Sequence, residues 1–171
     1  MRRTPTPILL VVLLLTGCGY ALVGRGSNIP DDVREVYLAP FENRTQRAEV
    51  EQFITQAIAE ELVTRRRFAI LGSAEGADAV LSGAVTAFQV TPITFDAAGR
   101  AEEYEITILA QVSFRRPEAE IAIWANDRYQ FRETYELEAD AAGFFDRENL
   151  AIEETAKKFA ESVVTDLLEG F

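Results

Sequence analysis

The chain has 171 residues, with 17 lysine and arginine against 28 aspartate and glutamate and a formal net charge of −11. Such an excess of negative charge repels phosphate backbones, and it argues against a nucleic-acid partner and against loose electrostatic docking on anionic lipid. There is no histidine and only one cysteine, Cys18, which removes the usual zinc ligands and the commonest general base and leaves one thiol to account for.

Before Cys18 the chain is laid out as a secretory signal. Arg2 and Arg3 give a basic start, and Ile8 to Leu15 is apolar without a charge. The run is far shorter than the roughly 20 apolar residues a spanning helix needs. It closes on Leu15-Thr16-Gly17-Cys18, which resembles the bacterial lipobox. That resemblance implies a diacylglyceryl group on the Cys18 thiol, cleavage before Cys18, and an N-acyl group, typically palmitate, on the new amino terminus. Several acyl chains anchor durably where one binds only marginally. A plain signal peptide with an incidental cysteine is the alternative, but a lone unpaired thiol is unusual in an exported domain. Gly19 in place of an aspartate is compatible with transfer to the outer membrane. The expected organisation is therefore a signal peptide over 1–17, a lipidated glycine-rich tether over 18–30, and one domain over 31–171. Without Arg2 and Arg3 the remaining 154 residues carry 15 basic groups against 28 acidic, a net −13.

In chain order, Val33 to Phe41 predicts a first strand that ends or lies at an edge because Pro40 cannot donate to a ladder. Glu42-Asn43-Arg44-Thr45 is a turn by composition. Ala48 to Arg67 predicts a helix, with Val50, Phe53, Ile54, Ala57, Ile58 and Leu62 on one stripe. Its acidic first turn and the terminal run Arg65-Arg66-Arg67 suit the helix dipole. Phe68 to Leu71 is a short apolar run, and Gly72 to Gly76 a loop. From Ala79 to Phe95 the chain favours strand, with Leu81, Gly83, Val85 and Ala87 on one side and Ser82, Thr86 and Phe88 towards the other. Gly83 within it suggests a bulge or a close backbone approach. Asp96 to Arg100 is a hairpin loop.

The clearest pattern follows. Tyr104, Ile106, Ile108, Ala110, Val112 and Phe114 take every second place with mostly polar residues between, a strand with one buried face. Arg116-Pro117-Glu118 turns the chain, and Ile121 to Leu137 returns it with Ile121, Ile123, Tyr129, Phe131, Tyr135 and Leu137 in phase. The aromatic concentration of Trp124, Tyr129, Phe131 and Tyr135 reads as strand packing or as rings meeting a lipid or protein wall. Phe144-Phe145 reads as a hydrophobic plug. Arg147 to Glu169 predicts the second helix, capped by Asp146. Its apolar face runs Ile152, Ala156, Phe159, Ala160, Val163, Val164, Leu167 and Leu168. Two amphipathic helices and a strand-rich middle give an α+β, two-layer sandwich, with both helices on one face of a mixed, mainly antiparallel sheet of about four strands. The other sheet face is either wet or covered by a partner.

Catalytic constellations are missing from this pattern. Adjacent acids such as Asp31-Asp32, Glu60-Glu61 and Glu102-Glu103 read as solvated surface, and Gly24-Arg25-Gly26 lacks the remainder of a phosphate cradle. No enzyme activity, cofactor or metal is expected beyond the acyl groups on Cys18.

Several segments together carry a family resemblance: Cys18-Gly19-Tyr20 with Leu22 and Gly24, Pro40-Phe41-Glu42-Asn43-Arg44-Thr45, Ala77-Asp78-Ala79-Val80-Leu81-Ser82-Gly83, then Glu103-Tyr104, Trp124 and the closing helix. In this order they resemble the LptE family of lipopolysaccharide-assembly lipoproteins, over nearly the whole chain after Cys18. The resemblance implies a two-helix, four-stranded domain on the periplasmic side of the outer membrane, seated inside the large barrel protein LptD. There it would plug the barrel, support its assembly and help receive lipopolysaccharide, by binding and without bond making. The acidic balance departs from what a phosphorylated glycolipid calls for, since charge-assisted contacts to phosphate are the strong ones. The basic residues left for that task are Arg65 to Arg67, Arg115 and Arg116, with Arg100 and Arg128 alone. Arg115 and Arg116 at a strand tip are expected either to meet lipid A phosphates or the barrel wall, or to be hairpin-end solubility charges. Two other readings stay open: an accessory lipoprotein of a secretion pore or cell-wall synthase with no glycolipid role, and a carboxylate-only hydrolase with two acids facing across a cleft.

Overall fold

The computed structural model describes residues 29–136 and 144–170, with side chains of the last stretch from Leu150 onward. The elements are β1 (Glu35–Leu38), β2 (Glu42–Asn43), α1 (Val50–Arg65), β3 (Ala69–Leu71), β4 (Ala79–Phe95), β5 (Ala101–Arg115), β6 (Trp124–Glu136) and α2 (Phe144–Glu169). The sheet runs β3-β1-β4-β5-β6, with β2 beside β4 as well. Pairing is parallel where β1 and β2 take part and antiparallel between β4, β5 and β6. The α+β two-layer reading and the mixed sheet hold. The sheet has six strands where about four were expected, because Ala69–Leu71 and Glu42–Asn43 pair over three and two residues, too short to leave a period in the sequence.

β1 and β2 are one extended segment running along β4 and broken at Pro40-Phe41. The break has a donor-level cause: Pro40 has no N–H, and the Phe41 N–H is turned away to Thr55 Oγ1 on α1 at 3.0 Å. The chain rejoins β4 as the Arg44 N–H donates to the Val85 carbonyl at 2.9 Å. The Phe41 ring is buried over Gly83. A Cβ built on Gly83 would lie 2.3 Å from Phe41 Cε1 and 2.6 Å from the Gln111 carbonyl oxygen. This is the close approach expected at Gly83. The first irregularity of the strand falls later, between Val85 and Ala87, and two more lie near its end, between Pro92 and Phe95.

The first of these corrects the phase of β4. Thr86 is exposed, and beyond it Phe88 and Val90 pack on the core, so Phe88 belongs to the apolar face and not with Ser82 and Thr86. A further register shift, opposite Ala110 and Val112, corrects β6. Ile121 precedes the strand and is 85% exposed, whereas Trp124 and Tyr129 are buried. In β5 the alternation holds: Ile106, Ile108, Ala110, Val112 and Phe114 are all buried, and Tyr104 is half-buried.

The predicted stripe of α1 is buried except for Phe53, which is partly covered. On α2, Ile152, Ala156, Phe159, Ala160, Val163, Val164 and Leu167 are buried. This helix begins at Phe144, so Asp146 lies in its first turn and not at its cap. The side chains of Phe144, Phe145 and Asp146, the plug reading of the first two included, lie outside the described residues, as do Leu137 and residues 1–28 with Cys18. Phe159 is the hub between the layers, meeting the rings of Tyr129 at 5.6 Å and Phe131 at 6.0 Å, both edge to face. The Tyr129 hydroxyl donates to Asp166 Oδ2 at 2.6 Å and lies 2.7 Å from Ser162 Oγ.

Lengths decide what stays uncovered. At about 3.3 Å per residue β4 extends roughly 55 Å, while α1 at about 1.5 Å per residue covers roughly 24 Å. The β4–β5 hairpin therefore projects beyond α1. Near its tip Phe95 is 57% exposed.

Candidate functional site

The face of the sheet away from the helices is the surface left for a partner. Alternation puts Ser82, Gln89, Thr107, Gln111 and Ser113 there, together with Glu103, Glu105, Leu109 and Arg115, none of them fully buried. A shallow depression of about 260 Å³ on it brings together Glu42, Arg44, Ser82, Gln111, Ser113 and Asp127. The charges in it are largely spent on each other: Arg44 donates to Glu42 Oε2 at 2.7 Å and to Gln111 Oε1 at 3.0 Å. Asn43 holds the floor of this corner, donating to the Arg47 carbonyl and to Glu51 Oε2, both at 2.7 Å. The Glu42-Asn43-Arg44-Thr45 segment thus starts as β2 and ends as a hydrogen-bonded turn leading into α1.

The four arginines singled out in the sequence do not form one site. Arg116 donates to both oxygens of Asp32, at 2.8 and 2.9 Å, as an ion pair tying the β5 end to the chain before β1. Arg100 pairs with Asp96 at 2.8 Å inside its own hairpin turn. β5 separates Arg100 from Arg115 and Arg116 by about 50 Å. Arg115 and Arg128 are exposed, and neither makes an ion pair among the described residues. Arg115 follows buried Phe114, and Arg128 precedes buried Tyr129, so both project from the open face. The aromatic cluster resolves mainly as packing: Trp124, Tyr129 and Phe131 join the core, and Tyr135 stacks on Tyr104 at 5.7 Å towards the hairpin end.

Two carboxylates are tuned by donors at opposite ends of the sheet. The backbone N–H groups of Glu35 and Arg34 donate to Asp78 and hold its carboxyl below the ordinary carboxylate range. Asp96 is lowered in the same way by the backbone and side chain of Arg100. Burial raises the Tyr129 phenol, helped by its bond to Asp166, and keeps it neutral. Among the described residues no group of three acidic or thiol side chains could hold a metal ion, and no helix is long and apolar enough to cross a membrane.

The fold is a two-layer α+β domain with one sheet face free of helices. The comparisons give the class a family. The family model for LptE, described as lipopolysaccharide-assembly, matches residues 33–167, and the chain belongs to that family. No curated protein matches it in sequence. Among solved structures it is similar to the rare lipoprotein B of Shewanella oneidensis, at 17% identity and a TM-score of 0.53 over 78% of this chain and 93% of that one. The lipoprotein B of Nitrosomonas europaea is similar at 15% identity and a TM-score of 0.53, over 88% and 90%. The protein CT253 of Chlamydia trachomatis reaches a TM-score of 0.54 at 11% identity, over 81% and 96%. At these identities the likeness is one of fold.

Proposed function

We propose that this chain is a non-catalytic, lipid-anchored outer-membrane lipoprotein that packs against an LptD-like barrel, plugging it and supporting its assembly, and helps insert lipopolysaccharide. The observation that carries the reading is the family match across the domain. The open face agrees with it, since the interior of a large outer-membrane barrel is polar and can meet both its uncharged polar groups and its cations. On this reading Cys18 carries the diacylglyceryl and N-acyl groups on the periplasmic side of the membrane. Arg115 and Arg128 are the open-face cations available to glycolipid phosphates or the barrel wall, while Arg116 is bound to Asp32 before β1 and Arg100 to Asp96 in its own hairpin turn.

Purification of the anchored protein from outer membranes in mild detergent tests this. A stoichiometric large barrel in the eluate is expected, and Arg115→Glu with Arg128→Glu is expected to weaken glycolipid binding without loss of folding. Recovery with a secretion pore or cell-wall synthase and no barrel would overturn the proposal in favour of an accessory role in another envelope machine.

A further inference from the structure

Arg34 and Arg67 are 33 positions apart in sequence, yet with Arg66 they line one open depression of about 670 Å³ beside the β3 edge of the sheet. Val63 and Ile70 line it too, and no carboxylate does. Arg67 is anchored: its Nη1 donates to the Val33 carbonyl at 3.3 Å, and its guanidinium lies 5.2 Å from the centre of the Phe68 ring. Arg66 takes a left-handed backbone with φ 53° as the C-cap of α1. Its exposed side chain and that of Arg34 make no ion pair among the described residues. Asp78, whose charge reaches Arg34, is occupied by the N–H groups of Arg34 and Glu35. Val63 is 62% exposed at the rim. The surface is therefore cationic with an apolar border.

The chain's entry into the fold says what covers it. Ile29 and Val33 are buried, which fixes the N-terminal segment to this end, and Arg67 holds the Val33 carbonyl directly. Eleven peptide steps separate Ile29 from Cys18. They span at most about 40 Å fully extended. An acyl group on Cys18 keeps this end within a few nanometres of a bilayer, where a weak local attraction acts at high effective concentration.

We propose that Arg34, Arg66 and Arg67 form a docking surface for anionic phospholipid headgroups, with Val63 at the bilayer boundary, so that the domain stands on the membrane by its α1 C-terminal end. The proposal rests on the anchored reading given above. It takes the phospholipid leaflet as the ligand and assigns this surface no lipopolysaccharide.

The test uses the full lipidated chain in vesicles of phosphatidylethanolamine and phosphatidylglycerol. Acylation leaves no free thiol at Cys18, so Val63→Cys takes a single fluorophore, and Ala98→Cys at the opposite hairpin tip is the control. Headgroup-labelled quencher lipid should quench the probe at position 63 and not the one at 98. An arginine near such a surface contributes about fivefold to partitioning. Arg34→Gln with Arg66→Gln, both exposed and outside the core, should therefore lower the docked-to-undocked ratio about 25-fold, as should high salt. Equal quenching on phosphatidylcholine vesicles, or quenching untouched by the two substitutions, would overturn the docking and leave the anchor standing. Two labelled thiols and failure to float would instead refute the anchor. In that event co-sedimentation of the full chain with the same vesicles reads the dependence on Arg34 and Arg66 directly, and loss of that dependence overturns the docking.

Discussion

Gly83→Ala asks the structure for a number. The added methyl would sit 2.3 and 2.6 Å from two atoms of the Phe41 ring and 2.6 Å from the Gln111 carbonyl oxygen, all well inside contact distance. Neither neighbour yields easily: the ring is buried between β4 and α1, and the carbonyl belongs to β5 beside it. Overpacking of this kind costs about 1–3 kcal/mol, and two obstructed sides put Gly83→Ala at about 3 kcal/mol. For a domain of this size that lowers Tm by about 6–12 °C. Urea unfolding should show a lower midpoint with an unchanged slope. The ring and the methyl are coupled, so in a Phe41→Ala background the Gly83→Ala penalty should fall by about 1–2 kcal/mol, the Gln111 contact supplying what remains. An alanine variant within about 0.5 kcal/mol of the parent, the ordinary scatter of neutral substitutions, or a fully additive cycle, would refute the argument that Phe41 closes on a glycine here.

Asp78→Asn should destabilise the domain at neutral pH and flatten its acid limb. The folded carboxyl lies below its ordinary 3.8, so its contribution is present above that value and is lost as pH falls through the lower, folded value; chemical denaturation between neutral pH and about pH 3 reads the difference. Tyr129→Phe strands Asp166 and Ser162 and should cost about 1–2 kcal/mol. The parent phenol, raised in the fold, should contribute stability up to about pH 10 that is lost only in stronger alkali, and spectrophotometric titration should find it ionising later than free tyrosine. Phe159→Ala removes the ring between Tyr129 and Phe131 and should cost about 3–5 kcal/mol in thermal unfolding. Arg116→Ala breaks an exposed pair with Asp32 and should change stability by no more than about 1 kcal/mol; a larger loss in a double-mutant cycle with Asp32→Ala would mean that the pair holds the N-terminal entry in place.

The parts of this fold that were legible in the sequence are those where one period runs uninterrupted. β5 keeps its alternation from Ile106 to Phe114, and both helices keep their stripes, because a long element repeats the same burial choice several times. Each phase error sits at an inserted residue. The shift at Thr86 returns Phe88 to the core, and the two-for-one pairing near Asp127 moves Tyr129 into phase with Trp124, leaving Ile121 outside the strand. A bulge adds one residue without changing composition, so nothing local announces it. The site suffered more, since its parts are joined only in three dimensions. The bond of Arg116 to Asp32 crosses 84 positions, and Arg34 meets Arg66 and Arg67 only because β1 and β3 run parallel side by side. The run Arg65-Arg66-Arg67 looked like a simple helix end. Arg65 is one, bound to Glu61 at 2.5 Å; its two neighbours turn out into the groove.

Net charge misleads here for a related reason. Residues 18–171 carry −13, which read as hostility to anionic lipid, but screening limits what any surface can feel to about 8 Å at physiological salt. Glu102, Glu103 and Glu105 stand at the hairpin end of β5, roughly 40–50 Å from the arginine end, several screening lengths away. Of the acids close by, Asp32 is paired to Arg116, Asp78 keeps its charge on the N–H groups of Arg34 and Glu35, and Asp31 and Glu35 are exposed outside the groove lining. A tethered domain poses two separate questions: how near the membrane it is held, and which way it faces. On the proposed reading an acyl anchor on Cys18 would answer the first irrespective of protein charge. Only side chains within a screening length of the headgroups bear on the second, and at the end where the tether enters, the unpaired ones in the groove are arginines.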